Sequence, residues 1–103
     1  MEYVLGFAFD EKKENVLLIK KLRPQWQLNK LNGIGGKIEP NEPPIDAMIR
    51  EFEEECGLKT NPDDWVCFCK MVGEDFFVNV YKAFVDINNY KNQTDEELRF
   101  CRL

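Results

Sequence analysis

The chain has 103 residues, 44 % hydrophobic and 32 % charged, a balance that fits one soluble globular domain with a modest core. Its 14 basic and 19 acidic residues leave a net charge of −5, which argues against a long nucleic-acid backbone as partner, because that requires a basic surface. No apolar run approaches the ~20 residues that span a bilayer, and Met1-Glu2-Tyr3-Val4 lacks the basic start and apolar stretch of a signal peptide, so a cytoplasmic protein without membrane contact is expected.

Tyr3 to Asp10 is apolar and aromatic and predicts a strand. Glu11 to Asn15 is a polar turn, and Val16 to Ile19 a second strand, so the two predict a hairpin. After a break at Arg23-Pro24-Gln25 comes a glycine-rich stretch, Leu31 to Lys37, and then a loop, Glu39 to Glu42. Pro43-Pro44 suits a helix start, where a missing N–H costs nothing. Ile45, Met48, Ile49, Phe52 and Cys56 recur at helical spacing as one buried stripe, and Gly57 suits the left-handed residue that ends a helix. Trp65 to Val72 and Phe76 to Val85 predict two strands joined by the turn Gly73-Glu74-Asp75. Asn88 to Glu97 is a polar loop, and Leu98 to Leu103 opens another strand. The pattern is a mixed sheet with one central helix, an α+β or α/β sandwich.

The cysteines are Cys56, Cys67, Cys69 and Cys101, with no C-x-x-C pair and no histidine. A zinc site is not expected, and all four read as buried reduced thiols.

On a helical wheel with Ile45 at zero, the apolar stripe falls between about 300° and 40°. Glu51, Glu54 and Glu55 fall at about 240°, 180° and 280°, on one flank of it, whereas Glu53 at about 80° points to the other flank. Clustered carboxylates repel one another. Their ordinary explanation is a solvated face; the sharper one is a site for Mg²⁺, a hard cation that takes oxygen ligands and bridges to substrate phosphates.

The spacing decides between these. Gly36, five residues, Glu42, seven residues, then Arg50-Glu51-Phe52-Glu53-Glu54-Glu55-Cys56-Gly57-Leu58 resembles the Nudix box, with all nine specified positions filled over 23 residues. A random chain of this length would match with a probability on the order of 10⁻⁸. Phe52 departs mildly from the usual Ile, Leu or Val and keeps the apolar role.

The resemblance implies an α/β/α sandwich with a mixed sheet, and a Mg²⁺-dependent hydrolase (Mn²⁺ as a substitute) acting on phosphoanhydrides of nucleotides. Glu51, Glu54 and Glu55 would bind the metal, Arg50 would orient nearby carboxylates, Glu42 would take part, and Gly36 and Gly57 would shape the backbone. Glu54 is also a candidate for catalysis, since a carboxylate near the metal can accept a proton from water.

The stretch Leu31 to Lys37 is similar to the strand that enters the box in MutT-type members, which puts Asn32 among candidate substrate contacts. Lys20, Lys21, Arg23 and Lys37 are candidate phosphate contacts. Thr94-Asp95-Glu96-Glu97-Leu98-Arg99 looks like a late loop in those enzymes that carries a further metal ligand or general base. Glu97, next to the apolar Leu98, is the better match and Glu96 the second. Family members commonly continue into a further helix, so residues 1–103 are expected to form one Nudix domain without it, as a shortened piece or a short member.

The box reports the reaction rather than the substrate. Residues Glu74, Asp75 and Phe76 lack the proline associated with ADP-ribose cleavage and the tyrosine associated with dinucleoside polyphosphates. The expected substrate is a nucleoside triphosphate, normal or oxidised, cleaved to monophosphate and pyrophosphate, with ADP-ribose or another nucleotide sugar as the alternative. Trp26, Phe68, Met71 and Phe76 fit core and base-stacking roles equally. A non-catalytic nucleotide-sensing or partner-binding module is the alternative class, in a monomer or a homodimer. A purely structural acidic domain ranks third, and the lack of a basic stripe disfavours mRNA decapping.

Overall fold

The computed structural model describes residues 1–22, 25, 30–86, 90, 91, 93 and 96–102. Its elements are β1 (Glu2–Phe9), β2 (Asn15–Lys20), β3 (Leu31–Asn32), β4 (Ile34–Lys37), α1 (Pro44–Cys56), a 3-10 turn at Pro62–Asp64, β5 (Trp65–Val72), β6 (Phe77–Phe84) and β7 (Glu97–Arg102). The element order expected from the sequence is present. Arg23 and Trp26 lie outside the described residues.

Alternation along β1 sets the layers. Val4, Gly6 and Ala8 are buried and their neighbours are not, so one face of the strand meets the core. Both edges of β1 are used. β6 runs parallel to it from Glu2↔Phe77 to Phe9↔Phe84. The other edge is divided: β4 pairs antiparallel with Tyr3 to Gly6, and β2 with Ala8 and Phe9. The predicted glycine-rich stretch is therefore two short strands. It switches partner at Gly33, from β2 to β1. β7 pairs antiparallel with β2 along its length, and β5 flanks β6.

The helix α1 forms where expected. Pro44 stands in its first turn, and Gly57, at φ 74°, closes it by donating its N–H to Glu53 O at 2.9 Å. Ala47, Met48, Phe52 and Cys56 are fully buried against the sheet face that carries Val4, Leu17, Ile19 and Ile34. Phe52 meets Trp65 edge to face at 5.2 Å, a pairing favoured by the ring quadrupoles.

One expectation about burial is corrected. Only Cys56 is a buried thiol; Cys67 and Cys69 are exposed and Cys101 is intermediate, all four free. Cys67 and Cys69 lie on β5, the last strand in the sheet order among the described residues. Phe68, Met71 and Phe76 are likewise about half exposed (52 %, 45 % and 45 %) and do not belong to the core.

Candidate active site

The glycine-rich strand and the acidic helix meet at one point. Gly36 pairs with Val4 of β1, so it faces α1. A Cβ at residue 36 would lie 2.5 Å from the Glu51 carboxyl carbon and 2.6 Å from each of its oxygens. The absent side chain is the space that the Glu51 carboxylate fills. Gly35 is held from the other direction, since a Cβ there would run into the backbone carbonyl of Val4.

Arg50 organises the carboxylates. Its Nε and Nη2 donate to the two oxygens of Glu42 at 2.8 and 3.0 Å, a bidentate pair. Nη1 donates to Glu51 at 2.8 Å and more weakly to Glu54 at 3.4 Å, and Nη2 also reaches the Lys37 carbonyl at 3.1 Å. Hydrogen bonds from Arg50 hold Glu42 below the usual carboxylate range, and the arginine itself is raised by the same bonds. Glu51 is raised by burial, with Arg50 acting against that.

Glu55 differs from the others. Burial first, then the neighbouring Glu51 charge, pushes its carboxyl up to about 8, with Lys21 pulling down and Glu96 and Glu54 pushing up. Its Oε2 is buried without a hydrogen-bond partner, a state shared among the described residues only with Asn79 Nδ2. Buried polar atoms are rarely left so. A carboxylate with one buried, unpartnered oxygen beside Glu51, with the exposed Glu54 one residue away, suits a hard divalent cation. Among the described residues no three such side chains are gathered closely enough to hold a metal as they stand. The Arg50 guanidinium lies on Glu51 and Glu54 instead, so loading requires those two carboxylates to turn from it.

Strand register sorts the remaining candidates. Leu98 pairs with Ile19, and both are buried on the α1 face. Period two then puts Glu96 on that side and Glu97 on the opposite one. Glu96 is 5 % exposed; its oxygens accept from the Leu22 N–H at 2.6 Å and from Lys21 Nζ at 3.2 Å. Glu97 is the first residue of β7, pairs with Lys20 across the ladder and takes a salt bridge from Arg99 at 3.0 Å. The register separates the two candidates: Glu96, two before Leu98, shares its face toward α1, and Glu97, next to it, does not. Lys20 goes with Glu97, away from the acidic helix. Lys37 contributes its carbonyl, and Asn32 spends its side-chain oxygen on the Gly33 N–H at 2.8 Å. Of the three phosphate candidates among the described residues, Lys20, Lys21 and Lys37, Lys21 is the one whose ammonium enters the cluster.

A groove of about 620 Å³ runs along the outer side of α1, lined by Asp46, Ile49, Arg50, Glu53, Glu54 and Gln93. Its acidic rim repels a polyphosphate, and Glu51 and Glu55 do not line it, so we do not place the substrate there.

A NUDIX domain model matches residues 2–102. The chain belongs to the Nudix family. A curated 8-oxo-dGTP diphosphatase from Proteus vulgaris is 31 % identical over 70 residues, 67 % of this chain and 60 % of that protein, so the matched stretch spans less than two thirds of the relative. The Nudix fold is shared with solved structures. The MutT structure described for Aliivibrio salmonicida and Vibrio cholerae superposes with a TM-score of 0.84 at 20 % identity, covering 98 % of this chain and 78 % of its own. The NUDIX domain of Shewanella oneidensis NrtR, solved with ADP ribose, gives 0.81 at 14 % identity, covering 99 % and 72 %. No helix among the described residues is long and apolar enough to cross a membrane.

Proposed function

We propose that this Nudix protein is a Mg²⁺-dependent hydrolase that cleaves a nucleoside triphosphate to monophosphate and pyrophosphate. The observation that carries it is the buried, unpartnered oxygen of Glu55 within a complete box of charged residues, beside Glu51 and Glu96. The named activity of the Proteus vulgaris relative supports a triphosphate, with an oxidised purine as one candidate base.

Glu51, Glu54 and Glu55 would hold the metal, which supplies charge neutralisation on the phosphate oxygens during cleavage. Arg50 keeps Glu42, Glu51 and Glu54 in one cluster. Glu96 takes the role of general base: water adds to phosphorus, the bridging P–O bond breaks, and the proton of the attacking water passes to the Glu96 carboxylate.

The test is release of phosphate and pyrophosphate across a nucleotide panel with Mg²⁺. Pyrophosphate with a monophosphate supports the reading, and orthophosphate alone refutes the cleavage position. Binding without cleavage favours a sensing module.

A further inference from the structure

We infer that Lys21 is a positioning residue, acting on the reaction through Glu96 by fixing the plane of its carboxylate; this rests on the general-base reading above.

The Glu96 carboxylate is nearly out of solvent, at 7 % side-chain exposure, and a buried charge persists only when paired and hydrogen-bonded. Leu22 N–H donates to its Oε2 at 2.6 Å and Lys21 Nζ to its Oε1 at 3.2 Å. Donors on both oxygens resist rotation of the group. The Lys21 backbone is itself tied, its N–H donating to Lys30 O at 2.8 Å.

Lys91 N donates to Cys56 O at 2.7 Å and Gln93 N to Glu55 O at 3.1 Å, which fastens these two residues to the end of the helix that carries Glu55. Lys21 is then a cation set against both carboxylates: Glu55 feels Lys21 and Glu96 with opposite signs. The Lys21 side chain is 23 % exposed, and its ammonium lies on Glu96.

The test joins kinetics to a signal independent of turnover. The short bond to a carboxylate shifts the Leu22 amide proton downfield in NMR spectra. In Lys21→Met, which keeps the apolar stem, that resonance is expected to move upfield, and Lys21→Arg should return it. With substrate and Mg²⁺, Lys21→Met should lower kcat by about tenfold to a hundredfold, a part of the ~10²–10⁴ that general-base help supplies. KM should hold within about twofold, the mark of a role outside ground-state binding. In a Glu96→Gln background the same change should add nothing. An unmoved Leu22 resonance, a raised KM with kcat intact, or a full further loss on top of Glu96→Gln overturns the positioning role and leaves the base assignment standing. Full turnover in Glu96→Gln alone overturns the base assignment instead.

Discussion

Gly36 and Glu51 occupy one space, since a Cβ on the first would sit 2.5 Å from the carboxyl carbon of the second. The box glycine is therefore a steric condition on a metal-ligand candidate rather than a hinge; its φ is not in the left-handed region, where Gly57 stands among the glycines.

Gly36→Ala should expel the Glu51 carboxylate and weaken Mn²⁺ binding, followed by paramagnetic relaxation of water. The stability loss should be about 1–3 kcal/mol, the usual cost of overpacking. Since the damage acts through Glu51, Gly36→Ala combined with Glu51→Gln should bind Mn²⁺ no worse than Glu51→Gln alone. Additive losses would show that Gly36 acts elsewhere.

Glu55→Gln replaces a carboxyl whose Oε2 is buried without a hydrogen-bond partner and which burial, then the Glu51 charge, pushes up to about 8. In EDTA the variant should melt at or above the wild-type temperature. With Mg²⁺ the wild type should gain stability, about 2.7 kcal/mol at a hundredfold excess over Kd, and the variant should gain much less. Equal Mg²⁺-induced shifts in the two proteins, by calorimetry, would remove Glu55 from the metal site.

Glu96→Gln should lower turnover by ~10²–10⁴, while Glu97→Gln, exposed and paired with Arg99, should stay near wild type. The reverse ranking would restore the assignment made from sequence order.

Asp10 supplies a pH dependence remote from the site. Its carboxylate accepts from Asn15 Nδ2 at 2.9 Å and from the Glu14 and Asn15 N–H groups at 2.8 and 3.2 Å, and these bonds, led by the Asn15 side chain, hold it below its ordinary 3.8. The unfolded chain then binds the proton more readily, so the contribution is present above the ordinary value and fades as pH falls through the lower folded one. The melting difference between wild type and Asp10→Ala should accordingly be larger at pH 7 than at pH 3. A difference that grows on acidification would contradict the bonding described.

The box was legible because its chemistry is local: Arg50 to Glu55 sit on one helix, where 3.6-residue geometry alone puts three carboxylates on a flank. Gly57 was legible for the same reason. Glu96 and Glu97 were not separable from their order, because the difference lies in which face of β7 meets Ile19, a long-range pairing. The exposure of Cys67 and Cys69 was hidden likewise: an edge strand and a central strand read alike until their neighbours are known. Lys21 and Lys20 differ by one residue and by opposite faces of the same sheet, which a list of basic residues does not encode.

The parallel pairing of β1 with β6 also constrains how the molecule comes into being. Residue 2 finds its partner at residue 77, so during synthesis the first strand waits for most of the chain to emerge. Its early contact with β2 is confined to Ala8 and Phe9, too short a ribbon to persist alone. Closing such distant pairs is slow, since loop entropy is lost before the contacts repay it. The nascent chain therefore carries one hydrogen-bonding edge of β1 unpaired until β6 arrives, and it is in that interval that a chaperone would have most to hold.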